Sequence, residues 1–255
     1  MPGRDARRSR EPLSTEDGPL SPHAAWTDLA TPAGPMRAYA AEPGGTPKGA
    51  VVVLQEAFGV NAHIQSVANR LATHGFVAVA PELFHRTGHR TVDYTDRPTA
   101  MGLIAELGPQ EVTADVAAAV EHARLYPTSQ ATCSLVGFCF GARAAFTAAT
   151  AIPGLDAVAA FYGPGIAAGP HAVLDRAAGI SARMLLVHGA EDPTISADDI
   201  TATEQALDAA SVRYETVVHP GAGHAFCCDA RPDAYRAEPA LDAWVRLLHL
   251  LESKD

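Results

Sequence analysis

Beyond about residue 35, two kinds of segment alternate along the chain. Short runs dominated by apolar residues occur at Ala50–Leu54, Phe76–Ala80, Cys133–Phe138, Ala157–Tyr162 and Met184–His188, and Tyr214–Val218 reads as a further strand. Runs of this length, bounded by Gly or Pro, predict strands, and those apolar throughout predict strands covered on both faces. Between them lie segments with helical spacing. His63–His74 has apolar positions 64, 67, 68 and 71 and stops at Gly75; Gln110–Tyr126 has them at 112, 116, 120 and 123. The alanine-rich Phe140–Ala151, a segment from about Asp198 to Ala210, and Asp233–Leu251 read the same way. Met36–Ala41 predicts a short first strand, while residues 88–108 follow neither period. Buried strands alternating with helices predict a three-layer α/β fold, a mostly parallel sheet with helices on both faces. No internal repeat interrupts it, so residues 23–255 are expected to form a single domain.

Residues 1–22 break the pattern. They carry Arg4, Arg7, Arg8 and Arg10 among four acidic residues and four prolines, with few apolar side chains. No apolar stretch follows the arginines, so the segment reads as a flexible tail rather than an export signal.

Composition narrows the function. The 255 residues are 47% apolar and 19% charged, a globular mix that buries roughly 75% of its unfolded surface without staples. The net charge of −10 repels phosphate, which argues against nucleic-acid and anionic-membrane partners. No apolar run reaches the roughly 18 residues of a membrane span. The four cysteines, at 133, 139, 227 and 228, lack metal-site spacing and make a poor disulfide framework. A reducing cytoplasm fits them best. Cys133, opening an apolar strand, reads as core.

The candidate chemistry starts at Gly137-Phe138-Cys139-Phe140-Gly141. This is a G-x-S-x-G turn with cysteine in the serine position, placed between a predicted strand and a predicted helix. The glycines leave room for a sharp turn. The helix N-terminus beneath Cys139 favours thiolate, and the Phe140 amide would point at a developing oxyanion. An α/β-hydrolase carries its acid and then its histidine later in the chain. After Met184–His188 comes Gly189-Ala190-Glu191-Asp192-Pro193, with Asp192 the candidate acid and Glu191 its rival. After Tyr214–Val218 comes a glycine-rich stretch with His224 as candidate base and His219 as the alternative.

With these segments the chain resembles the dienelactone hydrolase (carboxymethylenebutenolidase) family over roughly Met36–Leu251. The resemblance is carried by Leu54-Gln55-Glu56-Ala57-Phe58-Gly59-Val60-Asn61, Ala80-Pro81-Glu82-Leu83-Phe84, the Cys139 turn, and Gly221-Ala222-Gly223-His224-Ala225-Phe226. It implies that Glu56 accepts a hydrogen bond from the resting Cys139 thiol and is redirected by substrate. It also implies that the Ala57 and Phe140 amides form the oxyanion hole. Arg86 matches one of two arginines that hold a substrate carboxylate; the position of the second is Cys228. Losing one bidentate contact weakens anion binding by roughly 1.5–3 kcal/mol, unless Arg231, Arg90 or Arg97 reaches the pocket. Phe58 and Tyr162 are candidate pocket walls, and Cys227 and Cys228 read as packing or pocket lining.

The expected reaction is attack of Cys139 on an activated ester or enol lactone, with a thioester later hydrolysed by water that His224 and Asp192 activate. No metal or organic cofactor is implied, and the resemblance implies a monomer acting on a small molecule. Competing readings are an esterase, thioesterase or lactone-acting enzyme with a different substrate, and a non-catalytic ligand-binding relative. A thiol redox sensor built on Cys227 and Cys228 is a further one.

Overall fold

A computed structural model of the chain describes residues 22–253; the expected tail lies, but for Pro22, outside the described residues. Eight strands form one sheet: β1 (His23–Thr31), β2 (Gly34–Glu42), β3 (Ala50–Leu54), β4 (Val77–Pro81), β5 (Cys133–Phe138), β6 (Ala157–Phe161), β7 (Arg183–Gly189) and β8 (Tyr214–His219). Their spatial order is β1-β2-β4-β3-β5-β6-β7-β8. From β4 to β8 every pairing is parallel, and β1 and β2 join as an antiparallel edge.

Because successive side chains on a strand point to opposite faces, the central strands feed two cores. Val52 and Leu54 of β3 pack into one, and Val51 and Val53 into the other. The first core is closed by α2 (Arg97–Glu106), α3 (Pro109–Ala123), α4 (Phe140–Ala149) and α5 (Ala197–Ala209), through residues such as Leu103, Val116, Phe146 and Leu207. The second is closed by α1 (Ala62–Thr73) and α6 (Ala237–Glu252), through Ile64, Leu71, Trp244 and Leu247. These are the three expected layers of an α/β fold. Among the described residues no helix is long and apolar enough to cross a membrane.

Two elements depart from the sequence reading. β1 was not expected, and it pairs along its whole length with β2, from His23 opposite Glu42 to Thr31 opposite Gly34. Residues 88–108 contain α2, whose start is capped by the Asp96 side chain accepting from the Thr99 amide. Only Ala100, Leu103 and Ile104 of α2 are buried, which is why no clear period shows.

In a parallel sheet the carboxyl ends of the strands share one edge, where ligands bind. Here β3 leads into Glu56, β5 into Cys139, β6 into Tyr162, β7 into Asp192 and β8 into the turn before His224. Neighbouring strands thus bring together residues up to 168 positions apart.

Candidate active site

Cys139 occupies the turn between β5 and α4 with φ 53° and ψ −113°, a conformation that costs a side-chain-bearing residue energy. The turn is tight. A Cβ on Gly137 would lie 2.1 Å from the Gly141 carbonyl oxygen, and one on Gly141 would lie 2.4 Å from that of Leu54. Both glycines are therefore steric requirements. The Cys139 amide donates to the Phe161 carbonyl at 2.9 Å, tying the turn to β6.

His224 Nδ1 pairs with Asp192 Oδ2 at 2.7 Å. Thr194 fixes the other carboxylate oxygen, its amide at 2.8 Å and its hydroxyl at 2.6 Å from Oδ1, and the same hydroxyl lies 3.2 Å from His224 Nδ1. Burial raises the Asp192 pKa, but the hydrogen bonds from His224 and Thr194 outweigh it and hold the carboxyl below its usual range. Burial likewise opposes charge on His224, yet its contacts with Asp192 and Cys139 raise its pKa from 6.5 to about 10. The rivals fall elsewhere: His219 contacts Phe226 and Asp242, and Glu191 is exposed.

Cys139 and His224 open into a cavity whose walls include Glu56, Ala57, Phe58 and Thr194. Tyr94, Arg97, Met101 and Arg231 line it as well. Phe58 meets Tyr94 edge-on at 4.8 Å, and the Arg231 guanidinium lies 5.8 Å and 5.7 Å from their ring centres. Phe140 is the first residue of α4, so its amide has no partner within the helix. Among the described residues the Ala57 amide donates to no backbone carbonyl. Both remain available as donors.

The model of the dienelactone hydrolase family matches residues 36–254. The chain belongs to the dienelactone hydrolase family. A Salmonella typhimurium protein named "Putative carboxymethylenebutenolidase" is 36% identical over 92% of this chain and 88% of its own length. A Bradyrhizobium protein named "Probable 2-oxo-3-(5-oxofuran-2-ylidene)propanoate lactonase" is 30% identical over 88% and 91%. A crystal structure titled as a "Putative Dienelactone Hydrolase" from Klebsiella pneumoniae superposes with a TM-score of 0.84. It is 33% identical over 91% of this chain and 100% of that one. This member of the family is therefore a hydrolase of ester or lactone bonds.

Several expected side chains take other places in this family member. Arg86 does not line the cavity. Its guanidinium is clamped on Asp115, Nε to Oδ2 at 2.8 Å and Nη2 to Oδ1 at 2.7 Å, with His85 Nε2 a further 3.0 Å from Oδ2. A carboxylate whose side chain is 1% exposed demands a cation, and Arg86 meets it with two hydrogen bonds. Tyr162 is fully buried beneath the site rather than in its wall. Its ring meets His224 edge-on at 5.3 Å, and its hydroxyl donates to Glu56 Oε1 at 3.3 Å. Glu56 thus receives Tyr162, and among the described residues the Cys139 thiol makes no side-chain hydrogen bond, though it shares the cavity with His224. Cys228 is also fully buried, its Sγ 3.4 Å from the Tyr94 hydroxyl. Burial and the Glu56 charge push its thiol up to about 12. Phe58, Arg97 and Arg231 do line the cavity; Arg90 does not. Tyr94, Met101 and Thr194 were not anticipated. Only Thr194 carried a signal, since a threonine two residues after an aspartate favours a turn closed by its own side chains.

Proposed function

We propose that the enzyme hydrolyses a small enol lactone bearing a carboxylate, with Cys139 as nucleophile, His224 as acid and base, and Asp192 as the group that orients and charges the histidine. The reading rests on one observation: Cys139 and His224 share a cavity with two cations, Arg97 and Arg231. The arginines suit a carboxylate, and Phe58, Tyr94 and Met101 suit a flat unsaturated ring. The name of the Bradyrhizobium relative, a propanoate carrying an oxofuran ring, has the same two parts.

The thiolate attacks the lactone carbonyl, and the oxyanion is received by the Ala57 and Phe140 amides. The carbon–oxygen bond then breaks, and the protonated His224 gives its proton to the enolate. The ring is left neutral by that transfer, and acylation removes the Cys139 contribution that helps raise the His224 pKa, which keeps the ring a base for the proton of the attacking water. Hydrolysis of the thioester frees the acid. Thiolate is itself readily expelled, so good leaving groups such as enolates fit, and amides do not. Glu56, 1% exposed and held by Tyr162, lines the same cavity as Cys139, and in a resting conformer turned from Tyr162 it accepts a hydrogen bond from the neutral thiol.

The test is loss of dienelactone absorbance, run beside a neutral activated ester with wild type, Cys139→Ala and His224→Ala. Wild type should consume the dienelactone, Cys139→Ala should not, and His224→Ala should accumulate an acyl adduct visible by intact-protein mass spectrometry. Activity retained by Cys139→Ala refutes the assignment. Cleavage of the neutral ester alone would keep the nucleophile and discard the carboxylate.

A further inference from the structure

On the Glu56 side of the site lies a set of polar side chains that hydrolysis does not use. His63, in the first turn of α1, has a side chain 4% exposed; its Nδ1 pairs with Asp229 Oδ1 at 3.0 Å. Its Nε2 is buried without a hydrogen-bond partner, and so is Glu56 Oε2. Cys228 is fully buried next to them. One potential ligand atom from each of Glu56, His63 and Cys228 lies within 4.8 Å of the other two.

We propose that Glu56, His63 and Cys228 form a binding site for a divalent transition metal of the zinc class. Unpaired buried polar atoms are costly, and here two of them share one small volume with a thiol. A nitrogen, a sulfur and a carboxylate oxygen select zinc or cobalt over the oxygen-loving magnesium and calcium. Donors around a tetrahedral zinc lie roughly 3.5 Å apart, so atoms already within 4.8 Å of one another need only small side-chain shifts to close on an ion. Asp229 holds the far nitrogen of His63, which fixes the tautomer that leaves Nε2 free for a metal. Binding breaks the Cys228 S–H bond, sends the proton to solvent and forms a sulfur–metal bond, with no change of oxidation state. The ion also engages Glu56. Hydrolysis therefore falls as the site fills, a consequence that rests on the role proposed for Glu56, whereas binding does not.

Cobalt(II) titration of the metal-free full chain tests this, because a thiolate ligand gives a near-ultraviolet charge-transfer band. One equivalent should produce the band, and zinc should abolish it by displacement. Cys228→Ser should lose it, and His63→Ala should weaken cobalt binding strongly. Asp229→Asn, at a side chain 59% exposed and so tolerant of change, should weaken it by about 10- to 100-fold. Cys139→Ser and Cys227→Ser should keep it. No band in wild type overturns the proposal, as does a band lost in Cys139→Ser or Cys227→Ser but kept in Cys228→Ser. A band that grows while hydrolysis stays constant upholds the metal site and removes Glu56 from the mechanism.

Discussion

The placement of the arginines makes a quantitative prediction. Asp115 is buried and takes three hydrogen bonds, two from Arg86 and one from His85. Arg86→Ala leaves that carboxylate buried with His85 as its remaining donor. Removing one partner of a buried pair costs roughly 3–5 kcal/mol. The remaining His85, and the 23% exposure of the Arg86 side chain, place the loss at the lower end, about 3 kcal/mol. For a chain of this size that is a fall in Tm of roughly 6–12 °C. Replacing both partners by apolar residues, Arg86→Met with Asp115→Leu, should recover much of it, since no unpaired charge stays behind. Arg97→Ala and Arg231→Ala should do the reverse. Stability should stay within about 1 kcal/mol, and kcat/KM on a carboxylated lactone should fall by roughly 1.5–3 kcal/mol, about ten- to 150-fold. A neutral ester should be spared. Urea denaturation and paired kinetics on both substrates measure all of this. If Arg86→Ala melts with wild type and loses only the carboxylated substrate, the assignment of Arg86 to Asp115 is wrong.

Three further outcomes follow from the same geometry. The His224 pKa is raised from 6.5 to about 10, so its contribution to stability is complete below pH 6.5 and is lost as the pH rises through 10; Asp192→Asn should flatten that part of the stability profile in urea titrations, and an unchanged slope would show that Asp192 does not hold the charge. Gly137→Ala forces a Cβ to 2.1 Å from the Gly141 oxygen, which should cost about 3 kcal/mol or more and abolish hydrolysis, so a stable and active variant would contradict the tight turn. Tyr162→Phe keeps the ring packing on His224 but removes the hydroxyl on Glu56; calorimetry should show a loss of about 1–3 kcal/mol, and kinetics a lower kcat at similar KM.

Features set by a few adjacent residues were legible in the sequence, and features set by a choice between distant partners were not. The Cys139 turn is local. Five residues between an apolar run and an alanine-rich helix specify its geometry, because no side chain other than hydrogen fits at Gly137 or Gly141. The central parallel strands β3 to β6, buried at every position, were legible because burial on both faces demands a nearly unbroken apolar run. β1 escaped because most of its length is exposed or half-buried at the sheet edge, and α2 because only three of its ten residues are buried. Arg86 shows the harder case. Its position in the chain allowed it to face the substrate, but a long cation goes to the least solvated anion within reach, and that anion is Asp115, 29 residues away on α3. Asp115 itself interrupts the apolar face of α3, between Val112 and Val116, where a helical wheel shows only a misplaced charge. Nothing in the local pattern says which cation will cover it. With Arg86 held there, Arg97 and Arg231 are the arginines that line the cavity, so a core ion pair decides which cations are left for the role proposed above.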